Sequence, residues 1–315
     1  MTAAPAAFHL LLIDAQNDFC DLPASVHGTP ALPVPGANAD LQRVADLVRR
    51  GADALDAIVL TLDSHHRHDI AHPGFWQTGD GAAVAPFTPI TAAQVRAGQF
   101  RPRDAQPATH TRVLAYLDAL EAGGRHPPRG RPVHRPVGTD SLEHLAILDA
   151  LEAGGRHTLR VWPVHCEVGT WGHQLHAGVR EACAAWELRR HRASHVVFKG
   201  LNPWTEHYSA LQAEVPDPDD ADTGLNRALI RRLDAAPRLL IAGEAGSHCV
   251  RATVEHLVAH LPDPSPARLA RLTLLTDAIS PVAGFEAVQA DFLADMARRG
   301  VRLATCADAL AEMKV

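Results

Sequence analysis

Short apolar segments alternate with amphipathic segments along most of this chain, and this alternation constrains its fold more than any other feature. Apolar runs of four to six residues predict strands at Phe8–Ile13, Ala57–Leu62, Thr158–Trp162, His195–Phe198, Arg238–Ala242, Arg271–Leu275 and Val301–Ala304. Segments with helical spacing of apolar residues lie between them, at Asn38–Arg50, Val179–Arg190, Leu225–Ala235, Cys249–His260 and Glu286–Arg298. Apolar strands that alternate with helices form mostly parallel sheets covered on both faces, so we expect a three-layer α/β/α fold.

The length of 315 residues is enough for one large domain, which we expect to span residues 1–315. A long insertion after the second strand, at about residues 73–156, departs from the alternation and is rich in proline, glycine and histidine. It contains a repeat, because Leu114–Thr139 and Leu145–Thr170 match at 19 of 26 positions. Two copies indicate a tandem duplication, since a solenoid needs at least three repeats. We predict that the second copy, with Arg160–Cys166, lies in the core and that residues 129–135 of the first are exposed.

Charge and cysteine content exclude several classes of function. The chain has 30 basic and 36 acidic residues, a formal charge of −6 and no basic block, which disfavours nucleic acids and anionic membranes as partners. No apolar run approaches the roughly 18–20 residues that span a bilayer, and the N-terminus lacks the features of a secretory signal. Five cysteines at irregular spacing do not indicate a disulfide framework. We therefore expect a soluble cytoplasmic protein that acts on a small molecule.

Chemically reactive residues fall where predicted strands end, which is where active sites form in parallel sheets. Asp14 and Asp63 end the first two strands, and Lys199 ends the strand that begins at His195. Cys249 follows the turn Gly243-Glu-Ala-Gly-Ser-His, at the predicted start of a helix. The unpaired N–H groups and positive dipole at a helix start favour a thiolate over a thiol. Cys249 is therefore the best candidate for a nucleophile.

Asp14 and Lys199 are suitable partners for this cysteine. Only two of the 30 basic residues are lysines, and the other, Lys314, lies beside the C-terminus. A compact ammonium at a packed site cannot be replaced by the broad fork of arginine. Asp14 could accept the thiol proton while Lys199 stabilises the anions. The alternatives are a turn or helix cap for Asp14 and a solvent-exposed strand-end charge for Lys199.

Asp63-Ser-His65 could form part of a divalent metal site, with His165 as a third ligand, because three protein ligands and open positions are typical of catalytic metals. The chain has 20 histidines, however, so this spacing alone is not specific and packing roles stay open. We expect surface or packing roles for His66, His68, His72, His173, His176 and His248. Of these, His72 is the one most worth testing as a supplementary ligand.

Five motifs resemble those of the isochorismatase-like hydrolase superfamily, and within it those of the nicotinamidase-related cysteine amidases. They occur along this chain in the same order as in the family. The matching segments are Asp14-Ala-Gln-Asn-Asp18-Phe19, Asp63-Ser-His65, Trp162-Pro-Val-His165-Cys166, Phe198-Lys199-Gly200 and Gly243-Glu-Ala-Gly-Ser-His-Cys249-Val250. Together they span nearly the whole chain. This resemblance implies a six-stranded mostly parallel sheet, and Asp14, Lys199 and Cys249 as the catalytic triad.

The resemblance also implies the ligands and the substrate pocket. Asp63, His65 and His165 would bind a divalent ion, zinc first, with iron or manganese as alternatives. The peptide bond between Glu244 and Ala245 would be cis. The N–H groups of Ala245 and Cys249 would then form an oxyanion hole, which stabilises the charge that develops on the carbonyl oxygen.

In nicotinamidases, the positions that match Phe19 and Trp162 enclose the pyridine ring, and the metal binds the ring nitrogen. This chain departs from that pattern in its metal loop, which begins Asp63-Ser-His65-His in place of the usual Asp-Trp-His-Pro. It also has a longer segment before Trp162 and a long segment, Asn202–Asn226, after the lysine. We expect the protein to form a homo-oligomer. These insertions would either reshape the mouth of the pocket or form a contact between subunits.

The leading hypothesis is a cysteine-dependent amidohydrolase that converts a small carboxamide into an acid and ammonia through a thioester on Cys249. One alternative is that a metal-activated water is the nucleophile and the cysteine only packs. Others are a hydrolase of the same superfamily with a different substrate, such as an isochorismatase, and a non-catalytic binding protein. A dinucleotide-binding enzyme is disfavoured, because no Gly-x-Gly-x-x-Gly turn follows the first strand.

Overall fold

A six-stranded parallel sheet forms the centre of the computed structural model, which describes residues 7–123 and 158–313. The strands are β1 (Phe8–Ile13), β2 (Leu55–Asp63), β3 (Trp76–Thr78), β4 (Pro89–Ile90), β5 (Phe100–Pro102), β6 (Leu159–Arg160), β7 (His195–Lys199), β8 (Arg238–Gly243), β9 (Leu272–Leu275) and β10 (Arg302–Ala304). Their order in the central sheet is β10-β9-β8-β1-β2-β7, and every neighbouring pair is parallel.

Helices cover both faces of this sheet, as the alternating pattern predicts. The α-helices of the described residues are α1 (Ala37–Arg50), α2 (Ala92–Arg96), α3 (Pro107–Glu121), α4 (Ala177–Arg190), α5 (Arg227–Asp234), α6 (Arg251–His260), α7 (Pro266–Leu269), α8 (Glu286–Arg299) and α9 (Cys306–Met313), of which α2 and α3 belong to the insertion. One core contains apolar side chains of α1, α4 and α9, and a second contains those of α5, α6 and α8. No helix in these described segments is long and apolar enough to cross a membrane.

The register of the sheet brings the ends of four strands together. Ile13, the last residue of β1, pairs with Gly243 at the end of β8, and Asp63 of β2 pairs with Lys199 of β7. Gly243 has a φ of +119°, and a Cβ at this position would lie 1.9 Å from the Ile13 carbonyl oxygen. Only glycine fits here, because both the backbone conformation and the close approach of β1 exclude a side chain. This contact fixes the start of the turn that leads to Cys249.

Six of the seven predicted strands are in the central sheet, and the seventh, predicted at Thr158–Trp162, is shorter and lies in another sheet. Only Leu159–Arg160 is a strand, and it pairs antiparallel with β4 in a separate two-stranded sheet. Val161, the residue after this strand, also hydrogen-bonds to the insertion, because its carbonyl oxygen accepts from the N–H of Phe87. A short apolar run does not reveal which strand will pair with it, and here the partner is β4 of the insertion.

The described part of the insertion, residues 73–123, has a hydrophobic cluster of its own. Antiparallel strands β3 and β5 pair with each other, and α2 and α3 pack beside them around the buried ring of Trp76. Trp204, from the long segment after Lys199, packs against this cluster with its ring centroid 5.7 Å from that of Phe75. The second repeat copy carries the buried residues Arg160 and Cys166. The predicted excursion at residues 129–135 lies outside the described residues.

Candidate active site

Lys199 is the centre of a buried polar group at the carboxyl end of the sheet. Its Nζ lies 2.9 Å from Asp14 Oδ2 and 2.8 Å from Asp63 Oδ1, and 3.6 Å from Cys249 Sγ. It also donates to the carbonyl oxygen of His207 at 3.0 Å. The structure thus brings together the three residues predicted as a catalytic triad and joins them to Asp63.

Asp14 is held on both sides of its carboxylate. Thr61 Oγ1 donates to Asp14 Oδ1 at 2.6 Å, while Lys199 forms an ion pair with Oδ2. The residue has a φ of 46°, in the left-handed region that aspartate tolerates better than most residues. Burial raises the pKa of Asp14, and Lys199 and the Thr61 hydrogen bond act in the opposite direction. A carboxylate with a raised pKa is a stronger base than an exposed one.

The surroundings of Cys249 act on its thiol in the direction opposite to that expected for a helix start. Cys249 lies in a single π-helical turn, Gly246–Val250, which precedes the α-helix that begins at Arg251. Burial raises the pKa of its thiol well above the usual value, Lys199 opposes this rise, and Asp14 and Asp63 add to it. Burial and the two carboxylates thus disfavour the thiolate, so a base that accepts the thiol proton would assist this cysteine.

Asp63, His65 and His165 converge beside this group. Asp63 Oδ2 lies 3.2 Å from His65 Nε2 and 3.4 Å from His165 Nε2. His65 Nδ1 lies 3.0 Å from Asp69 Oδ2, and His165 Nδ1 lies 2.8 Å from the Pro163 carbonyl oxygen. Oxygen partners at Nδ1 fix the tautomer of a histidine and leave Nε2 free to bind a metal.

His72 is the third histidine of this group, and its Nδ1 also has an oxygen partner. Its Nδ1 lies 3.1 Å from the His66 carbonyl oxygen, and its Nε2 lies 3.4 Å from His165 Nδ1. Burial and the other two histidines lower its pKa to about 3, which keeps the imidazole neutral. His65, His72 and His165 are all buried, with potential ligand atoms within 4.8 Å of one another, so this group could hold a metal ion. The default expectation for His72 is a surface or packing role, but it is also the histidine most worth testing as a supplementary ligand, and its place in this group agrees with that suggestion.

The distances among these donors fit a divalent ion. Two donors that bind one tetrahedral ion at roughly 2.0–2.2 Å lie about 3.3–3.6 Å apart. The two distances from Asp63 Oδ2, 3.2 and 3.4 Å, are close to that range. Carboxylates and imidazoles are ligands for zinc, iron or manganese, so the chemistry of the donors fits as well as their spacing.

The turn before Cys249 has the backbone geometry that the resemblance implies. The peptide bond between Glu244 and Ala245 is cis, as predicted. The His248 and Val250 N–H groups both donate to the Ala245 carbonyl oxygen, while the Ala245 N–H has no hydrogen-bond acceptor among the described residues. An N–H group is therefore free beside the cysteine.

A small pocket opens onto Cys249 and contains residues that sequence reasoning missed. Phe19 and Trp162 line it as expected, and so do Glu206, Tyr208 and His248. Glu206 and Tyr208 lie in a turn-rich segment without periodicity, so no sequence signal places them over the strand ends. His248, for which a surface or packing role is expected, does pack against aromatic rings, and it lines the pocket as well.

The wall formed by His248 is aromatic. Its ring centroid lies 5.3 Å from that of Trp162, 5.6 Å from Tyr208 and 4.7 Å from Phe285. Burial, together with the positive charges of Arg160 and Arg251, lowers the pKa of His248 to about 3. The pocket therefore offers flat apolar surfaces and a neutral imidazole next to the thiol.

No protein-family model matches this sequence, and no curated protein matches it. Solved structures do match. The yeast nicotinamidase Pnc1p bound to the inhibitor nicotinaldehyde has a TM-score of 0.53 at 18% identity, with 95% of this chain and 99% of that chain covered. A nicotinamidase from Acinetobacter baumanii has a TM-score of 0.52 at 16% identity, with 96% of this chain and 98% of that chain covered. The likeness at these identities concerns the fold, and this chain has the fold of the nicotinamidases, as its five motifs predict.

Proposed function

We propose that this protein is a hydrolase that cleaves a small carboxamide to a carboxylic acid and ammonia, with Cys249 as nucleophile. The observation that carries this proposal is the position of Lys199 Nζ, within 3.6 Å of Cys249 Sγ and 2.9 Å of Asp14 Oδ2. A buried ammonium shared by a carboxylate and a thiol stabilises the thiolate that forms when the carboxylate accepts the proton. A binding protein has no need of this arrangement.

The first half of the reaction forms a thioester. Asp14 accepts the thiol proton as Cys249 Sγ attacks the amide carbonyl carbon, and Lys199 stays close to the negative charge throughout. The N–H groups of Ala245 and Cys249 donate to the oxyanion of the tetrahedral intermediate. Asp14 then returns its proton to the amide nitrogen, the C–N bond breaks, and ammonia leaves.

The second half hydrolyses the thioester. Asp14 takes a proton from a water molecule that attacks the acyl carbon, and the thiolate of Cys249 leaves and regains the proton. A divalent ion held by Asp63, His65 and His165, with His72 beside them, would supply a fixed positive charge next to the substrate. We propose zinc as this ion, with iron or manganese as alternatives.

Nicotinamide is the first substrate to test. Phe19 and Trp162 line the pocket and are almost fully buried, so they offer two apolar surfaces to a flat ring. The similar yeast enzyme is a nicotinamidase that binds nicotinaldehyde, an aldehyde with the same ring. The same pocket could hold other aromatic amides.

Ammonia release from a panel of small amides, nicotinamide included, tests this function. We expect release by the wild type and less than about one thousandth of that rate for Cys249→Ser, because the alcohol is a far weaker nucleophile. Cys183→Ser is the matched control, since Cys183 is also buried but lies in the core cluster away from the site. Equal rates from wild type and Cys249→Ser would refute the cysteine mechanism and favour a metal-activated water.

A further inference from the structure

Arg160 is a buried arginine without a carboxylate partner among the residues that the structure describes. It lies on β6 and is 5% exposed. Its one hydrogen bond there is from Nη1 to the Phe87 carbonyl oxygen, at 3.3 Å. Buried charges are normally paired or bind a ligand, because the loss of hydration is costly. An unpaired guanidinium is therefore a candidate binding group.

The guanidinium of Arg160 lies against the aromatic wall of the active-site pocket. Its Cζ is 5.3 Å from the ring centroid of Phe285 and 5.9 Å from that of Trp162. Trp162 and the adjacent His248 line the pocket that contains Cys249. The charge of Arg160 also acts on His248, whose pKa it helps to lower. Arg160 does not itself line this pocket, but its guanidinium contacts the Trp162 ring that does.

The aromatic rings orient the guanidinium but leave most of its donors free. A guanidinium carries five N–H donors in a planar fork, and this fork matches the two oxygens of a carboxylate. Nε and Nη2 of Arg160 donate to no acceptor in residues 7–123 and 158–313. Cation–π contacts offset only part of the cost of burying a charge. An anion from the substrate would complete this arrangement.

We propose that Arg160 binds an anionic group of the substrate, so that the site takes small amides that also carry a carboxylate. This inference rests on the proposed amide hydrolysis and specifies its substrate class. The amide carbon would lie at Cys249, and the carboxylate would extend along Trp162 to the guanidinium. The residue that gives this specificity comes from the strand that pairs with the insertion rather than from the central sheet.

Matched pairs of amides test this substrate class. The probes are benzamide and the three isomers of carbamoylbenzoate, which differ from benzamide only by a carboxylate. For at least one isomer we expect a wild-type kcat/KM at least about tenfold above that of benzamide, as for a charge-assisted hydrogen bond. Arg160→Met should remove this preference and leave kcat/KM for benzamide nearly unchanged. Arg160→Lys should retain part of it, because it keeps the charge without the fork.

Arg96→Met is the control variant, since Arg96 is an exposed arginine that pairs with Asp118 on the surface. It should keep the full preference. Higher ionic strength should raise KM for the preferred carbamoylbenzoate and not for benzamide, a test that needs no variant. Faster hydrolysis of benzamide than of every carbamoylbenzoate by the wild type, or an equal loss on both substrates in Arg160→Met, would overturn the inference.

A binding measurement separates this inference from the proposed reaction. Calorimetry with the benzene dicarboxylates as probes and the Cys249→Ser variant measures the anion site without turnover. We expect the double variant Cys249→Ser/Arg160→Met to bind these dicarboxylates at least about tenfold more weakly than Cys249→Ser alone. This result would support the anion site even if no amide is hydrolysed. Amide hydrolysis without a carboxylate preference, and without such binding, would overturn the anion site and leave the proposed reaction intact.

Discussion

Lys199 Nζ lies 2.9 Å from Asp14 Oδ2, and both side chains are almost completely buried. The same ammonium lies 2.8 Å from Asp63 Oδ1, so one cation pairs with two carboxylates at the ends of neighbouring strands. Removal of one member of a buried ionic group leaves the others uncompensated, which costs more than the group contributes as a whole. The proposed catalytic base and the candidate metal site therefore depend on a single lysine.

Lys199→Met should abolish activity and lower the free energy of unfolding by roughly 3–5 kcal/mol, because two buried carboxylates lose their cation. Lys199→Arg should keep the charge and still lose activity, since a planar fork cannot replace a compact ammonium with four close partners. Urea denaturation and ammonia release measure the two effects. An active Lys199→Arg variant would contradict the steric part of this argument.

Thr61→Val should move the acidic limb of the pH–rate profile to higher pH. The Thr61 hydrogen bond lowers the pKa of Asp14, so its removal raises that pKa. Asp14 must be deprotonated to act as a base, and with a higher pKa it becomes protonated at a higher pH. The variant should also lose about 1–3 kcal/mol of stability, because a buried carboxylate oxygen loses its donor.

Thr273→Val is the control for this profile. Thr273 is buried in β9, and its Oγ1 has no hydrogen-bond partner within the described chain segments. Its removal should leave the pH dependence of kcat/KM unchanged. A limb that stays in place in Thr61→Val, or that moves equally in both variants, would refute the assignment of Asp14 as the base.

Gly243→Ala should destabilise the protein by more than about 2 kcal/mol, since a Cβ there would lie 1.9 Å from the Ile13 carbonyl oxygen. Gly81→Ala separates this clash from the effect of backbone conformation. Gly81 has a φ of +90°, and no atom lies within 4 Å of a Cβ at this position, so only the conformational cost remains. Chemical denaturation of both variants gives the difference, and equal losses would show that the strand contact is unimportant.

Asp69→Asn should weaken binding of a divalent ion about 10–100-fold without removing a direct ligand. Asp69 Oδ2 lies 3.0 Å from His65 Nδ1, so the carboxylate holds the imidazole with Nε2 free. Competition with a chromogenic chelator measures the affinity of the purified protein for zinc. Asp46→Asn, at an exposed aspartate, should bind zinc as the wild type does. An unchanged affinity in Asp69→Asn would place the ion elsewhere.

The fold and the proximity of Asp14, Lys199 and Cys249 could be predicted from sequence because both depend on local pattern. Apolar strands show as short runs, and the carboxyl ends of parallel strands meet at one edge of the sheet. Asp14 and Lys199 thus came together from positions far apart in the chain. The cis bond before Ala245 followed from the resemblance of the surrounding motif.

The pocket was much harder to predict, because its residues come from segments without periodicity. Glu206 and Tyr208 follow Lys199 in a turn-rich segment, and their approach to the site depends on packing against the insertion. Leu159–Arg160 has the apolar pattern of a central strand, but its partner is β4 of the insertion, which the pattern does not indicate. The raised pKa of Cys249 depends on burial and on distant carboxylates, which helix position alone does not reveal.

The central claim is that the acyl group of the substrate becomes attached to Cys249. Intact-protein mass spectrometry of samples quenched during turnover, followed by peptide mapping, tests it most directly. We predict a mass increase equal to the acyl group on the peptide that contains Cys249, its release by hydroxylamine, and neither adduct nor ammonia from Cys249→Ala. Ammonia release by Cys249→Ala at the wild-type rate, with no adduct on the wild type, would contradict the account.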